Sequence, residues 1–205
     1  LLSDLDAAVL QDACQQIGSW SSTREGLAPR LSINVSADSL ADPELQNRLR
    51  HCIDNSGFPA HQLYLEITET TLVEDVASAY ANINAAEQLG IRLAIDDFGT
   101  GYSSLSYLRR FPVGILKIDR SFVNGLGRES EDEIIVDTVI RMASSLGLEV
   151  VAEGVENQLQ IDLLRSFGCH YLQGYAYGRP ADAASSHERY ERSLEAQLRV
   201  DLLGA

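Results

Sequence analysis

Cysteine is scarce in this chain of 205 residues: Cys14, Cys52 and Cys169 are an odd number, set far apart and without CxxC spacing. That excludes a disulfide framework and a cysteine zinc site, and a reducing cytoplasm is the expected compartment. Cations are also few, with 16 Lys and Arg against 30 Asp and Glu and a formal charge of -14. A large basic face for a DNA or RNA polymer is excluded, because phosphate neutralisation needs clustered Lys and Arg. A single nucleotide in a pocket is not. No apolar run approaches the roughly 20 residues that span a bilayer, and no signal-peptide pattern opens the chain. No membrane contact is expected of this segment, although a parent protein could be tethered. Compositional bias and repeats are absent too, so 45% hydrophobic and 22% charged residues describe one ordinary globular domain.

What the chain does have is a repeated alternation of two periods. Leu2, Leu5, Val9, Ala13 and Ile17 stand at helical spacing, and Leu31, Ile33 and Val35 then alternate with Ser32, Asn34 and Ser36 as in a strand. Pro43 opens a helix carrying Leu45, Leu49, Cys52 and Ile53. A strand through Leu63, Leu65 and Ile67 precedes a helix with Val73, Val76, Tyr80, Ile83 and Leu89, which Gly90 stops. Ile91, Leu93 and Ile95 form a third strand, followed by a Gly-rich turn and a short helix near Ser103 to Leu108. A fourth strand runs through Leu116 and Ile118, and the helix from Glu131 to Leu146 carries Ile135, Val139 and Met142. Strands at Glu149 to Ala152 and ending near Leu172, then a helix with Tyr190, Leu194 and Leu198, complete the pattern.

Alternating strands and helices imply parallel β/α units with right-handed crossovers. The strands keep a polar phase, which an open sheet covered on both faces does not need, so the expected fold is an α/β, TIM-like (β/α) barrel. At the C-terminal ends of the strands the polar phase supplies Asn34, Glu66, Asp96 with Asp97, Lys117 with Asp119, Glu153, and Gln173. That rim is where barrel enzymes gather catalytic groups. Taken singly, an acid at a strand end is more often a helix cap or a solvated loop residue. Six strands repeating the placement make that explanation fail jointly, and an inward Lys117 needs a carboxylate partner or a function. Five carboxylates around one mouth repel unless something positive sits among them. Oxygen donors without His or Cys favour Mg²⁺ or Mn²⁺, and two such ions suit phosphodiester hydrolysis.

The stretch DDFGTGYSSLSYLRRFPVGILKIDRSF, Asp96 to Phe122, closely resembles the most distinctive segment of the EAL-domain family of bacterial cyclic di-GMP phosphodiesterases. INVS at Ile33, LEITE at Leu65, VVAEGVE at Val150 and CHYLQGYAYGRP at Cys169 resemble it too, in order, from the first residue to about Pro180. The resemblance implies that Asn34, Glu66 and Asp96 ligate one metal and Asp96, Asp97 and Asp119 a second. It implies that Lys117 polarises the attacking water, that Glu153 is the general base or organises that water, and that Gln173 hydrogen-bonds in the same pocket. Glu69 would fix the loop after Asp97 and link the site to a homodimer contact, with Glu156 in support. Gly99 and Gly101 give that loop its freedom to turn.

The strand bearing Glu-Ala-Leu, with its metal-binding Glu, is not in this sequence, so residues 1–205 are expected to be one EAL-type domain truncated at its N-terminus, an incomplete barrel. Sensory or GGDEF modules are expected upstream. The implied activity is hydrolysis of cyclic di-GMP to linear pGpG. One alternative is an inactive EAL-like receptor or protein-interaction scaffold; another is an unrelated barrel enzyme with Lys117 as a base or Schiff-base residue beside one Mg²⁺.

Overall fold

A computed structural model describes residues 2–21, 29–71, 76–100, 108, 110–128 and 130–203. Within these, six strands run β1 Leu31–Asn34, β2 Leu63–Thr68, β3 Arg92–Phe98, β4 Val113–Ile118, β5 Glu149–Ala152 and β6 Tyr171–Leu172. All pair in parallel and in sequence order. The helices are α1 Leu2–Ser21, α2 Ala37–Ala41, α3 Leu45–Ser56, α4 Val76–Gln88, α5 Arg120–Gly125, α6 Ser130–Ser145, α7 Gln158–Ser166 and α8 Ala183–Leu203. None of the described helices is long and apolar enough to cross a membrane.

The sheet is curled. In a flat sheet β1 and β5, four strands apart, would lie about 19 Å from one another. Instead Arg30, just before β1, makes a two-pronged ion pair with Glu149 at the start of β5, and Tyr171 of β6 donates to the same carboxylate at 3.0 Å. The Arg30 guanidinium also lies over the rings of Tyr64 and Tyr171, at 5.8 and 5.0 Å. These contacts draw the two ends of the sheet together beneath the strands, giving a parallel half-barrel.

The two side-chain phases divide as the alternation requires. Ile33, Leu65, Ile67, Leu93, Ile95, Leu116, Ile118 and Val150 point outward and are buried with Leu49, Ile83, Ile140 and Leu164 in the main core. Each such aliphatic side chain contributes about 1.5–3 kcal/mol by leaving water. The inward phase has a smaller apolar layer of Tyr64, Ala94 and Ile115, with Val151 packed against it. This layer is the floor on which the polar rim stands.

Helix rotation differs from the spacing-based expectation. In α1, Leu5 and Val9 are exposed, whereas Leu10 and Cys14 are buried. Asp6 sets that orientation: its Oδ2 accepts hydrogen bonds from the Ser36 amide and from the Ser36 and Ser39 hydroxyls, turning the 6–10–14–18 ridge inward. In α6, Ile135 and Leu146 are likewise exposed, and Val136, Ile140 and Ala143 form the buried ridge. The helix expected from Pro43 begins at Leu45, because Pro43 and Glu44 form a turn in which the Leu45 amide bonds to the Asp42 carbonyl. Val73 and the short helix expected near Ser103 lie outside the described residues.

Candidate functional site

The rim is organised around one buried ammonium. Lys117 of β4 is 5% exposed. Its Nζ lies 2.8 Å from Glu66 Oε2 on β2, 3.1 Å from Asp96 Oδ1 on β3 and 2.7 Å from Glu153 Oε1 just past β5. The register explains the convergence: Thr68 pairs with Asp96 and Lys117 with Val151, so the inward residues of four adjacent strands meet near one level. A buried ammonium without partners would shed its proton. Burial does act against the charge here, but the hydrogen bonds to Glu153 and Glu66 outweigh it and hold the Lys117 pKa above its usual value. A lysine base or Schiff-base nucleophile needs the opposite shift, and this ammonium is engaged by three carboxylates, which speaks against the unrelated-enzyme reading.

The remaining acids are placed by backbone. Asp97 adopts φ 53°, the one described non-glycine residue with positive φ, and its amide donates to Asp96 Oδ1 at 3.0 Å. Asp tolerates this left-handed conformation better than most residues because its short side chain can bond locally. The Asp97 pKa is raised by burial and by repulsion from Asp96 and Asp119, against a lowering by Lys117. Asp119 caps α5, accepting from the Ser121 amide at 3.0 Å. Burial raises its pKa, but hydrogen bonds from the Ser121 hydroxyl and amide leave it below the ordinary value. Burial raises Glu153, with Lys117 opposing and Asp96 and Glu66 reinforcing. Asn34 is paired in register with Glu66 at the end of β1 and is exposed.

Glu69 does not join the ammonium cluster. It is buried, accepts from the Gly99 amide at 3.4 Å through Oε2, and its Oε1 has no hydrogen-bond partner among the described residues. Gly101 lies outside those residues. Beside Glu153 an open cleft is lined by Arg120, Asn124, Glu156, Gln173 and Tyr175. Gln173 is held there by its backbone, donating to Ala152 O at 2.9 Å and accepting from Val155 N at 3.0 Å. Gly154 has φ 70°, and a Cβ there would sit 2.6 Å from Arg120 Cβ, so the cleft wall requires glycine. Arg120, Asn124 and Tyr175 were not singled out from the sequence. The first two sit on a six-residue helix too short to show a period, and an Arg directly after the strand-end Asp119 was the one signal available.

Among the described residues no three Asp, Glu, His or Cys side chains form a group arranged to hold a metal ion. Lys117 instead occupies the centre of three of them. The donor chemistry nevertheless suits a hard cation. Asn34, Glu66, Asp96, Asp97 and Asp119 offer oxygen alone, Lys117 engages only one oxygen each of Glu66 and Asp96, and Asp97 is under repulsion that a divalent cation would relieve.

Comparison with known proteins gives the family. The cyclic di-GMP phosphodiesterase NbdA of Pseudomonas aeruginosa is 39% identical over 189 residues, 92% of this chain and 24% of its own length. The chain spans about a quarter of the length of the curated relatives it matches. Among solved structures, the PaMucR phosphodiesterase in complex with c-di-GMP superposes with TM-score 0.83 at 36% identity, covering 89% of this chain and 73% of that one. The manganese and cyclic di-GMP complex of Klebsiella pneumoniae BlrP1 gives TM-score 0.79 at 31% identity, covering 87% and 45%. Since the EAL domain profile matches residues 1–180, with the acid-ringed lysine, the Asp96-Asp97 pair and the cleft all inside that span, the chain belongs to the EAL domain family.

Proposed function

We propose that this chain is the catalytic domain of a cytoplasmic, metal-dependent phosphodiesterase that hydrolyses cyclic di-GMP to linear pGpG. The observation that carries the reading is the convergence of Glu66, Asp96 and Glu153 on Lys117 at a barrel rim that opens directly onto the Arg120 and Gln173 cleft. Asn34, Glu66 and Asp96 would hold one Mg²⁺ or Mn²⁺, and Asp96, Asp97 and Asp119 a second. Bound there, such ions supply charge stabilisation for a phosphodiester in displacement and make a coordinated water more acidic.

The chain's own residues do the rest. Lys117 fixes the three acids in place, and its positive charge would polarise a nucleophilic water beside them. Glu153, at the junction of rim and cleft, takes the proton from that water as its oxygen attacks phosphorus and the bond from phosphorus to the 3′ oxygen breaks. The leaving 3′ oxygen takes a proton from solvent, Glu153 returns its own to solvent, and the product is opened at a single linkage. Arg120 and Gln173 provide cationic and amide donors for the phosphate, and Tyr175 a ring face for a base. Glu69, through the Gly99 amide, couples the turn after Asp97 to a homodimer contact.

The test is incubation of cyclic di-GMP with the chain and Mn²⁺, followed by chromatography of the products. Linear pGpG that vanishes with chelator and with Glu153→Ala supports hydrolysis. Saturable binding with no product in any metal would overturn it in favour of a receptor.

A further inference from the structure

We propose that Cys14 and Cys52 form an oxidisable dithiol, which hydrogen peroxide converts to a disulfide across α1 and α3. The inference is independent of the catalytic reading. Consecutive β/α units place α1 and α3 side by side and parallel. At Gly18 and Ser56 the backbones meet so closely that a Cβ on Gly18 would lie 2.6 Å from the Ser56 carbonyl oxygen. One turn earlier on each helix stand Cys14 and Cys52, both free thiols, 0% and 4% exposed. Cys52 Sγ donates to the Leu10 carbonyl at 3.4 Å. In an α-helix that carbonyl also faces the amide of residue 14, so the Cys52 sulfur reaches the turn that carries Cys14.

Burial makes most cysteines inert, but this pair has an entrance. A cleft lined by Ala7, Leu10, Gln11, Arg48 and His51 has Cys52 in its wall. It would admit a small neutral peroxide and exclude a bulky thiol, which makes the peroxide the oxidant. The lining includes Cys52 and not Cys14, so the peroxide meets the Cys52 sulfur first. The Cys52 thiolate, the reactive form, attacks one peroxide oxygen, the O–O bond breaks, and hydroxide leaves as water, giving a sulfenic acid. Cys14 sulfur then attacks that sulfur, expelling the second oxygen as water. Two thiols and one hydrogen peroxide become one disulfide and two waters. The staple would fix α1, whose Asp6 holds Ser36 and Ser39 immediately behind Asn34.

The native chain, folded and reduced, would be treated with hydrogen peroxide, alkylated under denaturing conditions and mapped by mass spectrometry without reduction. Cys14 and Cys52 peptides should appear linked, with the intact mass lower by roughly 2 Da for the two lost hydrogens, reversibly with dithiothreitol. Cys169 should be alkylated instead of linked. The linked chain should melt roughly 5–10 °C above the reduced one. Pre-unfolding in urea should abolish the selectivity. Both thiols found alkylated after peroxide, oxygen added to either without linkage, or equal linkage to Cys169 would each overturn the proposal.

Discussion

Replacing Lys117 by methionine keeps an unbranched chain only one atom shorter and removes its charge, which makes it the sharpest probe of the rim. The ammonium sits 2.7–3.1 Å from three carboxylates and its side chain is 6% exposed. At an effective dielectric near 20, those distances correspond to a gross attraction of about 17 kcal/mol. Desolvation of the ammonium and repulsion among the acids cancel most of it. What remains measurable is the penalty for leaving buried charges without a partner, about 3–5 kcal/mol when one member of a buried pair is removed. For a chain of this length that lowers the melting temperature by roughly 6–20 °C. The assay is urea denaturation in the presence of chelator for the parent, Lys117→Met, Glu66→Gln and the double variant. Neutralising Glu66 in the Lys117→Met background should recover stability, because it removes one of the orphaned charges, with a coupling of at least about 1.5 kcal/mol. A Lys117→Met loss below about 1 kcal/mol, or coupling indistinguishable from zero, refutes the central role given to this ammonium.

Other expectations are more local. Asp6→Ala strips three hydrogen-bond donors at Ser36 and Ser39 of their acceptor and should cost about 1–3 kcal/mol in a urea melt. Glu149→Gln should cost under about 1 kcal/mol at neutral pH, since the Arg30 and Glu149 side chains are 42% and 32% exposed and screened by solvent. Burial raises the Glu149 pKa, but Arg30 and Tyr171 pull it below its ordinary value. Its contribution is therefore present above the ordinary carboxylate range and lost as pH falls through the folded value, so the gap between parent and variant should shrink below about pH 4.5; a constant gap would contradict the clasp. Gly154→Ala forces a Cβ against Arg120 and should raise KM in steady-state kinetics more than it lowers kcat. Ca²⁺, whose looser coordination misplaces a nucleophilic water, should compete with Mn²⁺ and inhibit product formation on chromatography.

Strand positions were legible because a curled parallel sheet with one apolar and one polar phase writes period 2 directly into residues such as Leu65, Glu66 and Ile67. Helix existence was legible for the same kind of reason, but helix rotation was not. In α1 the spacing of Leu5 and Val9 suggested one face, while Asp6 turned another inward through bonds to Ser36 and Ser39, residues some thirty positions on. Such a long-range polar contact leaves no periodic trace. The short helices α2 and α5 were missed because five and six residues complete too few turns to show one. In the site, the lysine and its carboxylate partners could be named from phase alone. That Lys117 would sit at the centre of the acids depends on the curl, which sequence spacing does not encode.

The same lysine bears on how an acidic rim assembles at all. Glu66, Asp96, Asp97, Asp119 and Glu153 come from four strands and their ends, and bringing five carboxylates together without compensation would oppose closure of the sheet. Lys117 offsets one charge from within the chain and does so at Glu66, Asp96 and Glu153, its ion-pair partners. Folding can then be completed before any ion binds. An excess of four negative charges stays at the rim, matching the charge of the two divalent cations proposed there. A rim neutralised by its own lysines would fold more readily and have no use for metal; one with no lysine would need metal in order to fold. A single buried ammonium would keep the two events separate, and under the proposed metal-dependent function ion binding, not folding, would determine when the site is competent.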